Sequence, residues 1–314
     1  MAELDVTYRC NCQCQMCQRW QDMRSGEFTL AEYGKLAEVF RRLGVHQISI
    51  AGGEPLLRED IFCIIRSFAR YGMSLNLCTN GILLEPNVDR VCGSGLSCVT
   101  VSLDGATPGA HESIRGTPGS CQQIESGIQS LVARPQSHRP LVRVRMTFSN
   151  SNMDEIEPYF RKWIDIVDDV LLQPVHYCSD SFYTGSTWET FDINPYRLAQ
   201  QLDGTPFRRD GYMRNLLESL RQRRGFPKHR CYAGILMARF DPWGNVFPCL
   251  EQRVCVGSLR KQDFETIWRS DFFDQVRRRI STDSCTCWYN NTALISHYAH
   301  ILLRTTARGG WGVF

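Results

Sequence analysis

Cys10-Asn-Cys-Gln-Cys14-Gln-Met-Cys17 stands just behind a short strand-like run, Leu4-Asp-Val-Thr-Tyr8. With Cys10, Cys14 and Cys17 as the working set the spacing is C-x3-C-x2-C. Three thiolates then converge from one tight loop and hold three corners of a cubane iron-sulfur cluster, while the fourth iron has no ligand from the loop. An open coordination position separates a reactive metal site from a closed structural one, as it divides catalytic from structural zinc. A zinc site calls for a second C-x2-C or Cys/His knuckle nearby, which the neighbouring sequence lacks. Disulfides call for an oxidising compartment, and the first residues carry no signal-peptide pattern. Cys12 breaks the spacing if adopted and reads as a small buried residue.

Outward from this loop, the chain alternates short apolar runs with amphipathic stretches, the pattern of a parallel sheet with crossover helices. Thr29 is placed to cap a helix whose face is Leu30, Tyr33, Leu36, Val39 and Phe40. A strand follows over His46–Ala51 and ends at Gly52-Gly53, where missing side chains let the backbone approach a ligand closely. Helix, strand, helix and strand repeat over Ile61–Phe68, Ser74–Cys78, Asn87–Cys92 and Ser97–Leu103. After a helical stretch from Gln122 to Val132 come a strand over Val142–Phe148, a helix from Asp154 to Ile166 and a strand over Val170–Val175. Six such units predict an α/β fold, a partial (β/α)6 version of the eight-unit TIM-like barrel. Its reactive groups belong at the carboxyl ends of the strands.

Composition fits this reading. The chain has 314 residues, 43% hydrophobic and 22% charged, enough for one large core and a smaller second one. Lys+Arg 36 against Asp+Glu 33 leaves +3, too little for bulk attraction to nucleic acid or a membrane surface. No apolar run approaches the roughly 20 residues that span a bilayer, so a cytoplasmic location is expected. Fifteen cysteines exceed what packing alone explains and point to metal ligation by several of them.

Four further motifs follow the cluster loop in order: Gly52-Gly53-Glu54-Pro55, Thr79-Asn80-Gly81, Val101-Ser102-Leu103-Asp104-Gly105 and Ile114-Arg115-Gly116. Each follows or ends a strand except the last, and each alone is an ordinary turn signal. Together with the cluster loop they resemble the radical SAM enzymes over residues 4 to 175. The resemblance implies a [4Fe-4S] cluster held by Cys10, Cys14 and Cys17, with S-adenosylmethionine chelating the open iron. It places Gly52, Gly53, Glu54 and Pro55 at the cofactor's amino group, and Ser102, Asp104 and Arg115 near its carboxylate or ribose, with Asn80 in the same pocket. The implied chemistry is reductive cleavage to a 5′-deoxyadenosyl radical that abstracts hydrogen from a substrate, fed by an external donor such as flavodoxin or ferredoxin.

Past Val175 the pattern changes. Residues 176–190 are aromatic and polar without period, as in a loop over a site, and Cys178 is placed to donate a hydrogen atom if the substrate radical is quenched. Residues 195–224 read as helical, with Leu216, Leu217 and Leu220 on one face. Cys231, twelve residues, Gly244, four residues and Cys249 follow, around the hairpin turn Asp241-Pro-Trp-Gly-Asn245. This segment resembles the C-terminal extension called SPASM, or its shorter relative twitch, which implies a second, auxiliary [4Fe-4S] cluster. Its remaining ligands are Cys285 and Cys287, with Cys255 as the alternative. The expected organisation is a barrel over 1–180, connecting loop and helices over 181–230, and an auxiliary-cluster α+β domain over 231–314. His297 and His300 share a face of a C-terminal amphipathic stretch and read as packing or solvent-facing residues.

The resemblance implies an oxidative modification of a small molecule or peptide in natural-product biosynthesis. Because Cys10 comes so early, no leader-gripping module is expected ahead of it. An epimerase using a cysteine donor and a maturation factor that activates another enzyme are the alternatives. A plain electron carrier has no need of Gly-Gly-Glu-Pro.

Overall fold

The computed structural model describes residues 1–175, 193–222, 231–250, 254–282, 287–288, 295–296 and 299. Six parallel strands lie side by side in chain order: β1 (Ala2–Asp5), β2 (Gln47–Ala51), β3 (Ser74–Thr79), β4 (Cys98–Ser102), β5 (Leu141–Phe148) and β6 (Asp169–Pro174). Parallel neighbours need long crossovers. These carry α1 (Leu30–Arg42), α2 (Ile61–Ala69), α3 (Val88–Cys92), α4 (Pro108–Arg115), α5 (Ser120–Val132) and α6 (Ile156–Trp163). The short helix α4, which the spacing did not predict, starts with Pro108 and a Thr107 side-chain cap.

α1 begins where expected. Thr29 Oγ1 accepts from Glu32 N at 3.3 Å, and Glu32 Oε2 accepts from Thr29 N at 2.8 Å, a reciprocal cap that meets two orphan amides. Its buried face is Tyr33, Leu36, Ala37 and Phe40. Leu30, expected on that face, is 38% exposed at the first position of the helix.

The strands alternate cleanly. Ile48, Ile50, Leu75, Leu77, Val99, Val101, Val142 and Val144 are wholly buried in the core they share with the helices. The intervening positions are Ser49, Asn76, Cys78, Thr100, Ser102, Arg143, Arg145 and Thr147. Parallel strands covered on both faces by apolar layers usually read as continuous hydrophobic runs. Here one face lines a polar interior, and the period-two pattern records it.

The sheet stays open between β6 and β1. β1 instead takes a seventh strand, β7 (Ala238–Phe240), parallel, with Ala2 opposite Ala238 and Leu4 opposite Phe240. β8 (Asn245–Phe247) and β9 (Gly257–Ser258) continue it antiparallel. The β7–β8 turn is the expected one: Asp241 Oδ1 accepts from Trp243 N and Asn245 N, and Gly244 has φ +83°. α7 (Pro195–Leu202) and α8 (Gly211–Arg221) replace the single helical stretch anticipated over 195–224, and Leu216, Leu217 and Leu220 are buried as predicted. α9 (Phe264–Trp268) and α10 (Asp271–Thr282) follow β9. Among the described residues every cysteine is a free thiol, and no helix is long and apolar enough to cross a membrane.

Candidate active site

The loop after β1 is fixed by its neighbours along its whole length. Gly53 N donates to Thr7 O at 2.7 Å and Glu54 N to Arg9 O at 2.8 Å, so the loop after β2 lies flat against the chain that leads into Cys10. A Cβ at Gly52 would sit 2.2 Å from Thr7 O, and one at Gly53 2.3 Å from Arg9 O; Gly52 also has φ +140°. The bareness of these glycines, expected to admit a ligand, is thus required by the Thr7–Arg9 backbone itself.

Glu54 is wholly buried and turned into the fold. Its carboxylate accepts from Leu56 N at 3.0 Å, Thr79 Oγ1 at 2.8 Å and Asn80 N at 2.7 Å, tying the loop after β2 to the loop after β3. Burial, the largest influence, pushes its pKa above the ordinary carboxylate range, and those three donors offset part of the rise. Asn80 passes the tie onward: its Nδ2 donates to Asn11 Oδ1 at 2.7 Å and lies 3.9 Å from Cys10 Sγ.

The Ile114-Arg115-Gly116 motif closes the loop's other side. Gln15 N donates to Ile114 O at 3.0 Å and Gln15 Nε2 to Ser113 O at 2.7 Å. Gly116 ends α4 in the left-handed region, φ +66°, where a Cβ would come 2.8 Å from Gln13 O. Arg115 Nε donates to Asp104 Oδ2 at 2.6 Å, and Nη1 reaches to 3.8 Å from Cys14 Sγ. Asp104 is wholly buried, and its Oδ1 accepts from Thr147 N at 2.8 Å. His111 Nδ1 accepts from Asp104 N at 3.1 Å, so that nitrogen is unprotonated. Burial, assisted by the Arg115 charge, lowers the His111 pKa to about 4.

Cys10, Cys14, Cys17, Gly52, Gly53, Asn80, Ser102 and Arg115 all line one cavity at the carboxyl ends of the strands. Glu54, Pro55 and Asp104, expected beside the cofactor, are buried, and Glu54 and Asp104 bond to lining residues from behind. Cys178 lies outside the described residues. The cavity encloses about 1010 Å³, its open mouth included.

The donor set fits a cubane cluster. Cys12 and Cys14 are buried with Met16, Ile114 and Val175, and Cys10 and Cys17 pack against this small apolar group. Burial raises the Cys17 thiol, while contact with Cys12 is the main cause of a raised Cys14 and a lowered Cys10. A bound iron overrides such shifts, because a coordinated thiol is deprotonated outright. Among the described residues no three ligand-type side chains converge on one metal ion. A cubane asks for something different, one thiolate per iron, spread around the cluster.

Three features were not anticipated. Asp5, at the end of β1, is fully buried between two arginines: Arg19 Nη1 donates to its Oδ1 at 3.0 Å, and Arg239, on β7, donates to its Oδ2. Arg19 also donates to Gly52 O at 3.0 Å, and Arg239 to Tyr8 Oη at 2.7 Å. The second feature is the cavity wall itself, where Arg145 and Gln173 appear beside the expected residues; the alternating charge of Val142-Arg-Val-Arg-Met-Thr-Phe148 was its visible signal. The third is Cys78, whose thiol lines the cavity between Ser49 Oγ at 3.5 Å and Asn76 Nδ2 at 3.3 Å.

The C-terminal cysteines are arranged differently. Cys249 and Cys287 are buried and Cys231 half-buried, and Gly234 N donates to Pro248 O at 3.0 Å, drawing the Cys231 and Cys249 segments together. Tyr212, on α8, donates its hydroxyl to Trp288 O, next to Cys287. Cys255 is exposed, and its Sγ donates to Gly257 O at 3.3 Å. Cys285, His297 and His300 lie outside the described residues.

Known protein families match the chain in two stretches. The model of the radical SAM superfamily matches residues 4–162, and that of the SPASM iron-sulfur cluster-binding domain matches residues 231–288. An AdoMet-dependent heme synthase of Methanosarcina barkeri is 27% identical over 302 residues, 87% of this chain and 83% of its own. A probable GTP 3',8-cyclase of Pyrobaculum aerophilum is 39% identical over 117 residues, but these are 37% of this chain and 38% of its own. The fold is shared with Streptococcus suis SuiB bound to S-adenosylmethionine, TM-score 0.69 at 16% identity, over 88% of this chain and 67% of that one.

Proposed function

The chain belongs to the radical SAM superfamily, and from that premise we propose that it abstracts a hydrogen atom from a small-molecule or peptide substrate, with net oxidation of that substrate. Family membership and the SPASM match bring a [4Fe-4S] cluster with S-adenosylmethionine and an auxiliary cluster. When bound, the first cluster and the cofactor supply a 5′-deoxyadenosyl radical. The observation that carries the proposal is the convergence of Cys10, Cys14 and Cys17 with Gly52, Gly53, Asn80, Ser102 and Arg115 around one cavity.

In this reading Cys10, Cys14 and Cys17 hold three irons. Gly52 and Gly53 offer backbone groups to the cofactor's amino end. Ser102 and Arg115 face its carboxylate or ribose, and Arg115 is held in place by Asp104. Glu54 and Pro55 set the shape of the amino-end loop, and Asn80 joins that loop to Asn11 beside Cys10. The buried Cys249 and Cys287 and the half-buried Cys231 suit the auxiliary cluster, with Cys285 beside them in sequence, better than the exposed Cys255 does. The near full-length match to a heme synthase supports a small-molecule substrate, and an external one-electron donor such as flavodoxin or ferredoxin completes the cycle.

A second reading has one observation behind it, the Cys78 thiol in the cavity. There Sγ gives its hydrogen atom to the substrate radical, and one electron from the external donor and one proton restore the thiol. The anaerobic, reduced protein is expected to release 5′-deoxyadenosine from S-adenosylmethionine without added substrate; no release under any reducing condition would defeat the proposal. Once a substrate is in hand, product made in deuterium oxide decides the outcome. Carbon-bound deuterium that disappears in Cys78→Ala establishes the second reading over oxidation.

A further inference from the structure

We infer that His111 is a positioning residue for the cofactor: together with Asn152 it fixes the main chain of Asp104, and Asp104 in turn aims the Arg115 guanidinium into the cavity. The inference rests on the reading above, in which Arg115 faces the cofactor's carboxylate or ribose.

Asp104 is held at every polar atom. Its N donates to His111 Nδ1 at 3.1 Å, its O accepts from Asn152 Nδ2 at 2.9 Å, its Oδ1 from Thr147 N at 2.8 Å and its Oδ2 from Arg115 Nε at 2.6 Å. Asn152 is set in its turn, since Nδ2 also donates to Thr147 O at 2.9 Å and Oδ1 accepts from Ser149 N at 2.8 Å. Asp104, His111 and Asn152 are all buried, and in so dry a place each of these bonds is stronger than it would be in water.

His111 and Arg115 stand four apart on α4 and so share a face of it. One helix therefore grips one residue twice, by a ring nitrogen at the amide and by a guanidinium at the carboxylate. The contact is close along the main chain as well, because a Cβ at Gly105 would come 2.7 Å from Ala110 Cβ and 3.0 Å from His111 N. Among the described residues Asp104 is the one carboxylate paired with Arg115, whose Nη1 lies 3.8 Å from Cys14 Sγ. A shift of Asp104 is thus passed to the cluster side of the cavity.

A histidine is a poor choice for stability at this position. With Nδ1 accepting, the neutral ring carries its proton on Nε2, and that atom is buried without a hydrogen-bond partner among the described residues. An unmet buried donor costs stability, whereas a leucine would fill similar space with no donor of its own. What the ring adds is the acceptor it places at Asp104 N.

The test is S-adenosylmethionine affinity by calorimetry, with iron counted, on the anaerobically reconstituted holoprotein. His111→Leu is expected to bind the cofactor about threefold to tenfold more weakly, the worth of one hydrogen bond, with iron content unchanged. His111→Asn, whose Oδ1 takes the place of Nδ1, should keep wild-type affinity. Asn152→Ala, which releases the Asp104 carbonyl, should weaken binding as His111→Leu does and gives a second route if that variant does not fold. Double variants separate positioning from general loosening: once Arg115→Met has removed the guanidinium, adding His111→Leu or Asn152→Ala should cost no further affinity. Unchanged affinity in both single variants, a His111→Asn protein as weak as His111→Leu, or a full penalty in the Arg115→Met background would overturn the inference alone. Wild-type affinity in Arg115→Met itself would overturn the reading of Arg115, and the inference with it.

Discussion

The two cysteine-bearing regions ask different things of the chain. Cys10, Cys14 and Cys17 come from one loop, and hydrogen bonds from the loops after β2 and β3 and from the end of α4 hold that loop in place. Cys231, Cys249 and Cys287 come from separated segments, joined by a short hairpin, by β7 against β1 and by a few contacts such as Tyr212 to Trp288. Closing long loops costs more entropy than shaping a short one, and a bound cluster is a direct source of the missing folding energy. The first site is built by the barrel and left open for chemistry; the second is expected to draw part of its shape from its metal. The lesson is that thiolates can serve one kind of cluster in two regimes, distinguished by what fixes the thiolates before metal arrives.

Asp5 is where the regions meet, and it provides the strongest way to break the contrast. Asp5→Ala leaves the Arg19 and Arg239 guanidiniums buried without their shared carboxylate, and breaking such a buried pair costs about 3–5 kcal/mol. Urea unfolding is expected to show the barrel and the C-terminal segment losing stability together. A wild-type midpoint would mean that the two regions stand independently.

His111 marks the barrel side alone. Its folded pKa of about 4 lies below the ordinary 6.5, so the unfolded chain binds the proton first. Stability is then full above about pH 6.5 and falls as pH drops toward 4, by roughly 3 kcal/mol for a gap of about 2.5 units. His111→Gln should flatten that part of the pH profile of unfolding. An unchanged slope would assign the acid sensitivity to other groups.

Gly53→Ala probes the packing of the first site. A methyl group 2.3 Å from Arg9 O and 2.5 Å from Tyr8 O forces the backbone to shift, at about 1–3 kcal/mol. Weaker S-adenosylmethionine binding with unchanged iron content is the expected result; intact affinity by calorimetry would show that the Gly-Gly backbone does not position the cofactor. Glu54→Gln is milder. An amide has one acceptor oxygen where the carboxylate offers two to Asn80 N, Leu56 N and Thr79, so about 1 kcal/mol of stability and part of the cofactor affinity should go while iron stays. Unaltered affinity would confine Glu54 to the core.

The architecture was readable because period-two strands and helix caps are local signals. Thr29, the alternation in β5 and the hairpin at Asp241–Asn245 needed no knowledge of distant residues. The motifs, taken in order, also led to residues that line one cavity. Long-range charge was not readable: nothing around Asp5 announces Arg239, which is 234 positions away and arrives only because β7 adds to the edge of β1. The division of labour within motifs was hidden too. Glu54 and Asp104 look like ligand-facing groups in sequence, and only the fold shows them bonded to Asn80 and Arg115. That Gln173 Oε1 is buried without a hydrogen-bond partner among the described residues is likewise invisible without coordinates.

One chain is expected to hold two cubane clusters, of which only the one in the barrel drives cofactor cleavage. Iron and 5′-deoxyadenosine should be counted together in the anaerobically reconstituted wild type and in the Cys10→Ala, Cys14→Ala, Cys17→Ala triple variant. About eight irons per chain falling to about four, with cleavage abolished, is the predicted result, since each cubane carries four. A triple variant that still releases 5′-deoxyadenosine, or a wild type that never exceeds about four irons, would contradict it.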